Sequence, residues 1–485
     1  MMEFYKIVKN LGNKTDRKYF LFLFVLVILL KLPTMSLDYY WDALTFASQA
    51  KYLSVNGLLS TPPGYMVHFP FFTWLLAINY KIFGESPILS HFIVAIFSFL
   101  GAYFTYLLGK FLYNEKVGII SSLLLFFSPI YFAISGQTLF DIPLTAMTIM
   151  TLYFALKKRF VLYIISASIL VLTKEPGFLA IISLLFYLFI QKEKFRNILF
   201  HATPLLFLFI WEGWNWLKTG SFLLRSGTFA PYNGFSMILI KGISNIYQIF
   251  FWNYNWILSI FLFISLYQNF FNKKKIPRQA IPLFLTVLIY WILFTFAPVP
   301  LLPRYLLAVT PIFFIFSANS INFYFKNKVF LIFFIIIFLF ISCYKFNWGL
   351  KGFIQDPIFH SNIFYSKTLT SITNGELSLD YVDNVEIESQ AIQFVFKNYT
   401  NSFVVASWPF VDDASLKTNV GYHQWDKFNI KVLQPSKENI SKVDLVIYES
   451  CCIPEDIENN LSKMKLIVKF EKNGKYVFIY KPIKT

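Results

Sequence analysis

Charge is what this chain has least of. Of 485 residues only 14% are Asp, Glu, Lys or Arg, while 56% are hydrophobic and 21% aromatic. An average soluble domain carries roughly 25% charged residues, so an ordinary water-soluble protein is excluded. Cysteine is scarcer still. There are three, Cys343 inside an apolar run and the adjacent pair Cys451-Cys452. Neighbouring cysteines rarely bridge each other, so no disulfide framework is implied. Acids are also few: 26 Asp and Glu stand against 43 Lys and Arg. The first 350 residues hold so few that each can be considered singly.

What is there is a series of apolar runs long enough to approach the ~20 residues a bilayer crossing needs. The first, YFLFLFVLVILLKL, is followed by no small-residue cleavage site and reads as a membrane span rather than a removed signal. The net charge of +17 does not point to nucleic acid. The lysines cluster in short loops between apolar runs, at 157–159, 191–196, 272–278 and 326–328. That is the pattern of positive-inside topology. Spans are expected at about 18–35, 88–111, 117–135, 141–156, 160–173, 176–190, 197–217, 252–271, 279–297, 303–322 and 329–346. The chain thus reads as an α-helical polytopic membrane protein with about eleven transmembrane helices and a cytoplasmic N-terminus. The segment 68–84, HFPFFTWLLAINYKIFG, is short and interrupted by Asn79 and Lys81. It is expected to lie along the outer interface within a first outer loop spanning 36–87.

From about residue 348 the composition changes. SFVVASW, NIKVL and VDLVIY read as strands, ESQAIQFVFKNY and PEDIENNLSKM as helices. Residues 465–481 read as a hairpin turning at Asn473-Gly474. The expected division is a membrane domain over 1–347 and a small extracytoplasmic α/β domain over 348–485.

Glu3, Asp16, Glu115 and Glu193 fall on the cytoplasmic side of this topology. The other early acids, Asp38, Asp42, Glu85, Asp141, Glu175 and Glu212, all fall on the outer half. Ionisable groups at membrane depth are costly and are functional candidates by default. The cations of that side are Lys174, Lys218, Arg225, Lys241 and Arg304, with His68 and His91. Carboxylates beside anion-binding groups suit a phosphate-bearing ligand and a proton to be removed nearby. Bland readings exist for most of them. Asp38, two positions after Ser36, fits the acidic first turn of a helix. Asp42 would then lie mid-helix, where no cap accounts for it. Asp141 before Pro143 fits a helix start, Glu175 fits a local partner for Lys174, and Arg304 fits a snorkelling side chain.

Five stretches occur in a fixed order: WDALTFASQAKYLSVNG, HFPFFTWLLAINYKIFGES, TLFDIPLTAMTIMTLYFAL, LTKEPGFL and PRYLLAVTP. In these the chain resembles the C-type (GT-C) glycosyltransferases, multi-span enzymes that use polyprenyl-phosphate sugars. The similar branch holds dolichyl-phosphate-mannose–protein mannosyltransferases and lipid A aminoarabinose transferases. The first stretch resembles the family's first-loop motif, an aspartate with an aromatic at +4 and alanine at +8. The resemblance covers about residues 20–320, and VVASWPFVDDASLKTNVGYH is similar to the family's outer C-terminal domain.

What the resemblance implies is transfer of a sugar to an acceptor hydroxyl on the outer face, with inversion. Asp42 would be the general base, and Asp141 would position the acceptor or orient the first loop. Lys174, Arg304 and Arg225 would meet the donor phosphate, with His68, Glu175 and Tyr305 contacting substrate. Implied partners are a polyprenyl-phosphate sugar donor, a protein, lipid or glycan acceptor, and membrane lipid, with no nucleic acid. No particular cofactor is implied and no residue is assigned to a metal, a divalent metal ion being left open. The chain departs from the family at Ala43, where many relatives carry a second acid, at Phe69 in place of a proline, and before Asp141, where a basic residue is missing. Two other readings of the same charges are a transporter or flippase and a non-catalytic partner that binds lipid-linked sugar.

Overall fold

The computed structural model describes residues 14–62, 68–220, 222, 235–252, 255–271, 277–297, 302–325, 327–344, 381–407, 410, 425–449 and 453–483, apart from 434, 441 and 454. The expected domain boundary at 347/348, Arg225, Lys273 to Lys275 and Cys451-Cys452 lie outside the described residues.

Helices occupy each of the eleven stretches expected to span. In chain order they are α1 (Lys14–Met35), α2 (Asp42–Asn56), α3 (Pro70–Phe83), α4 (Pro87–Leu112), α5 (Glu115–Phe126), α6 (Pro129–Ile134), α7 (Asp141–Leu156) and α8 (Phe160–Val171). There follow α9 (Phe178–Ile190), α10 (Phe195–Ala202), α11 (Leu205–Thr219), α12 (Phe235–Phe250), α13 (Asn255–Phe271), α14 (Ile281–Phe296), α15 (Thr310–Tyr324) and α16 (Lys328–Tyr344). Proline in the first turn sets several starts, at Pro70, Pro87 and Pro129, where a missing N–H costs nothing. Asn114 caps α5 by accepting from the Val117 N–H.

Four stretches are long and apolar enough to cross a membrane: Thr15–Met35, Pro87–Leu112, Arg278–Phe296 and Pro303–Tyr324. A fifth results if Ile238–Phe250 and Asn255–Tyr267, which meet at 90°, form one broken span. Other helices are apolar but shorter, among them Asp141–Leu156 and Phe160–Val171. The expected span at 117–135 is broken at Ser128-Pro129 into α5 and α6. The helix α12 falls in the gap that the expected spans leave at 218–251. Lys241, Ser244, Asn245 and Gln248 are buried along it, and these polar residues mask the apolar pattern in the sequence.

The bundle has two distinct ends. At one, Lys110 on α4 pairs with Asp16 of α1 at 2.5 Å and with Glu115 at 3.5 Å. At the other, His91 Nδ1 lies 3.1 Å from the Met35 carbonyl oxygen. Helix direction then puts the basic loops at 157–159 and 191–196 at the Asp16 end, and residues 36–41, Asp141 and Lys174 at the Met35 end. The short helix α3 packs on α2 and buries Phe72, Leu76 and Tyr80 while Ile78, Ile82 and Phe83 face outward. The Phe71 N–H donates to the Leu172 carbonyl at 2.8 Å, fixing the start of α3 against the end of α8.

The C-terminal part contains α17 (Tyr381–Asn398) and a sheet of β1 (Phe403–Ala406), β2 (Lys431–Leu433), β3 (Leu445–Glu449), β4 (Met464–Lys472) and β5 (Lys475–Pro482). The order is β2-β1-β3-β5-β4. β1 pairs in parallel with β2 and β3, and β5 runs antiparallel to β3 and β4. The hairpin turns at Asn473 and Gly474, with φ of 50° and 79°. Ile387, Ala391 and Val395 of α17 pack on Val404, Ile447, Val477 and Ile479. The strands and the hairpin form where their alternation predicts.

Candidate functional site

Helix α1 ends at Met35, and the chain must reverse before α2 can pack. The corner is Trp41, with φ 50° and ψ −126°, a backbone region that a bulky L-residue rarely adopts. Asp42 is therefore the first residue of α2 and not mid-helix, and its carboxylate complements the helix N-terminus. The expectation that Asp38 opens this helix is overturned for the same reason. The corner lies three residues later.

The partner of Asp42 comes from 262 residues away. A 3-10 helix, Pro303–Val309, begins at Pro303 and carries Arg304 toward α2. Arg304 Nη2 donates to Asp42 Oδ2 at 2.5 Å. The two ends of this pair sit in different surroundings, for the Arg304 side chain is 11% exposed and that of Asp42 is 41% exposed.

A second pair lies close by. Asp141 is the first residue of α7, and Lys174 is held extended between the end of α8 and a 3-10 turn, Glu175–Gly177. Lys174 Nζ donates to Asp141 Oδ1 at 2.7 Å, and both side chains are almost wholly buried, 7% and 3% exposed. Tyr305 lies between the pairs. Its ring centre is 4.9 Å from Lys174 Nζ and 5.9 Å from Arg304 Cζ, within cation–π range. Tyr290 OH, donating to the Pro176 carbonyl at 2.9 Å, ties the Lys174 turn to α14.

Glu175 does not pair with Lys174 as expected. His68 Nδ1 lies 3.0 Å from both of its carboxylate oxygens. The His68 ring packs 5.5 Å from Phe46 and 4.9 Å from Phe140. Phe46 is one turn after Asp42, and Phe140 immediately precedes Asp141. Phe46 and Phe140 themselves meet edge to face at 4.6 Å. The contacts close on themselves: Asp42, Arg304, Tyr305, Lys174, Glu175, His68, Phe46 and α2 again.

Seven of the eight residues singled out in the sequence thus converge, and the eighth, Arg225, lies outside the described residues. Other charges of this end have other partners. Glu85 pairs with Lys51 at 3.3 Å, and Lys241 donates to the Ala297 carbonyl. Sequence reading missed Lys31, which is buried on α1, donates to the Phe132 carbonyl and lies 3.5 Å from the Phe132 ring centre. The signal was a lysine interrupting the first apolar run. It also gave no role to Phe140, for which only the neighbouring Asp141 was a signal.

Chemically, the site offers one solvent-accessible carboxylate, one buried carboxylate, and a cation beside each. A guanidinium and an ammonium flanking an aromatic ring suit an anion such as phosphate. Among the described residues no three His, Cys, Asp or Glu side chains group as metal ligands, and each aspartate already faces a cation. Behind the 3-10 helix, Pro303, Leu306 and Leu307 join Pro129, Ile249 and Trp252 along a narrow, mainly apolar cleft with a free volume of about 30 Å³.

Known proteins resemble this chain in sequence and in fold. The sequence model of the family described as Dolichyl-phosphate-mannose-protein mannosyltransferase matches residues 67–216, a stretch holding His68, Asp141, Lys174 and Glu175. An uncharacterised protein of Aquifex aeolicus (strain VF5) is 28% identical over 214 residues, 41% of this chain and 43% of that protein. The chain therefore aligns with less than half of that relative's length. The crystal structure of ArnT from Cupriavidus metallidurans bound to undecaprenyl phosphate superposes with a TM-score of 0.63 at 11% identity, over 95% of this chain and 98% of that one. The apo form of the same protein gives 0.64 at 11% identity, over 96% and 98%. The resemblance to the GT-C glycosyltransferases read from the sequence holds. It is carried in sequence by the central 150 residues and in fold by nearly the whole chain.

Proposed function

We propose that this chain is a membrane glycosyltransferase that moves a sugar from a polyprenyl-phosphate donor to an acceptor hydroxyl on the outer face, with inversion. The observation that carries the reading is the meeting of the Asp42–Arg304 and Asp141–Lys174 pairs at Tyr305. The neighbour of like fold was crystallised with undecaprenyl phosphate, which supports a polyprenyl donor.

In this reading the acceptor oxygen attacks the anomeric carbon opposite the phosphate. The bond from that carbon to the phosphate oxygen breaks, and its electron pair leaves on the phosphate. Arg304 and Lys174 neutralise that charge, and Asp42 takes the hydroxyl proton. A phosphate approaching Arg304 competes for its five N–H donors, which frees the Asp42 carboxylate to meet the acceptor hydroxyl as the donor binds. Asp141, buried against Lys174, keeps that ammonium aimed. Glu175 and His68 form the wall nearest α2 and contact the sugar or the acceptor. The site faces the outer side because the lysine loops lie at the opposite end of the bundle. The C-terminal α/β domain meets this same end of the bundle through Asn384 and Tyr40 and so lies outside with it.

Transfer of radiolabelled sugar from synthetic polyprenyl-phosphate sugars in proteoliposomes tests this. Asp42→Asn should lose about 10²–10⁴ in rate, the usual worth of a general base. Undiminished transfer by Asp42→Asn would sink the base assignment. Movement of donor across the bilayer with no transfer would establish the flippase reading instead, and donor binding with neither would leave a lipid-linked-sugar-binding partner.

A further inference from the structure

The C-terminal helix α17 reaches back to the segment that carries Asp42. Asn384 Nδ2 donates to Tyr40 OH at 2.7 Å across 344 residues of sequence. Tyr381, 1% exposed, joins Tyr40 and Val385 in a buried cluster closed by Leu37, Trp41 and Val382. The Tyr381 and Tyr40 rings are 5.9 Å apart, and Tyr40 stacks on Trp41 at 5.0 Å. The backbone of these two residues is fastened to the first turn of α2. The Ala43 N–H donates to the Tyr40 carbonyl at 3.0 Å and the Leu44 N–H to the Trp41 carbonyl at 2.9 Å. Whatever holds Tyr40 and Trp41 therefore holds Asp42.

The same helix touches the approach to the second aspartate. Tyr381 OH donates to the Gly136 carbonyl at 3.3 Å, five residues before Asp141. Only glycine permits this approach, since a Cβ at 136 would stand 2.5 Å from the Tyr381 hydroxyl and 3.2 Å from Thr34 Oγ1. Trp41 adds a reason for such a clamp. A bulky residue at positive φ persists only where its surroundings over-determine it. Among the described residues, the cluster around Trp41 draws half its members from α17.

We infer that α17 is a positioning element for the candidate site: Asn384 and Tyr381 hold Tyr40 and Trp41 in the corner that sets Asp42 opposite Arg304. The inference rests on the proposed function for what the positioning serves, but the clamp itself is tested without it. Hydrogen–deuterium exchange of the full chain in nanodiscs, read by mass spectrometry, should show amides of residues 37–46 protected. In Tyr40→Phe, which removes one oxygen, and in Asn384→Ala, their exchange should quicken by about fivefold, the factor that one neutral hydrogen bond corresponds to. Exchange in α4 and in the sheet should stay unchanged. If the protein transfers sugar, kcat should fall in both variants with the donor KM held, because Arg304 and Lys174 still bind phosphate. Unchanged exchange over 37–46 in Tyr40→Phe overturns the inference, as does quickening spread evenly over the chain. Absence of transferase activity in the unmodified protein, with exchange quickened locally as stated, overturns the functional reading and leaves the clamp standing.

Discussion

The two ion pairs of the site should behave oppositely when one partner is neutralised, and the difference follows from burial. Asp141 and Lys174 stand 2.7 Å apart with side chains 3% and 7% exposed. Asp141→Asn leaves an ammonium in a water-poor setting with no counter-charge, a loss of about 3–5 kcal/mol. Asp42 is 41% exposed but Arg304 only 11%, so solvent screens this pair from the Asp42 side. Asp42→Asn should cost less stability than Asp141→Asn, while the same substitution slows transfer by about 10²–10⁴. Unfolding of the purified chain by denaturant in mixed micelles measures both. The double variant Asp141→Asn with Lys174→Met should recover most of the Asp141→Asn loss, since it removes the stranded charge and keeps an apolar body of similar length. Equal destabilisation by Asp42→Asn and Asp141→Asn, or no recovery in the double variant, would refute the reasoning from burial.

Other substitutions probe the rest of the site. Gly177→Ala places a Cβ against the Leu170 carbonyl oxygen; the 3-10 turn must shift, and both transfer rate and thermal stability should drop, by about 1–3 kcal/mol for the latter. Phe46→Ala removes the ring contacts to His68 and Phe140 and should raise the KM for substrate while costing about 3–5 kcal/mol of stability. Arg304→Lys keeps the charge but loses the planar fork, so donor KM should rise and high salt should weaken binding further. In the C-terminal part, burial first and then the nearby Glu449 hold the Glu388 carboxyl well above its ordinary range, with Asp38 adding to the rise and Lys475 opposing it. A group whose folded pKa is raised binds its proton more tightly folded than unfolded, so stability falls as pH climbs from about 4.3 through the raised value. Glu388→Gln should flatten that slope and raise the melting temperature near neutral pH, measured by a pH series of thermal scans.

Much of this was legible in the sequence, for reasons particular residues make plain. The apolar runs and lysine loops placed the helices because their period and sidedness are local properties. The hairpin at Asn473-Gly474 follows from turn chemistry alone. The candidates Asp42, Asp141, Lys174 and Arg304 could be chosen because a charged group in a mostly apolar chain needs an account. Their pairing could not. Nothing within residues 36–50 names Arg304 as the partner of Asp42, and Lys174 has an acid beside it in sequence, Glu175, yet pairs with Asp141. The position of Asp42 at a helix start was misread because Trp41 turns the chain with a backbone that sequence rules discount for tryptophan. The helix α12 was passed over because its buried face is polar. Long-range complementarity decides these points, and it becomes visible only when the elements are assembled.

The hydrogen bond from Asn384 to Tyr40 also sets an order of events in biosynthesis. The two residues are separated by 344 positions, and a ribosome adding about 5–20 residues per second needs roughly 20–70 s to pass from one to the other. By the end of that interval the first helix has long preceded α17, and Arg304 too has been made before α17 exists. A nascent chain can therefore complete its membrane portion while the corner at Trp41 still lacks the helix that packs on it. Maturation of the site is a late step of synthesis, and a chain released early would enter the membrane folded in outline but unfinished at Asp42.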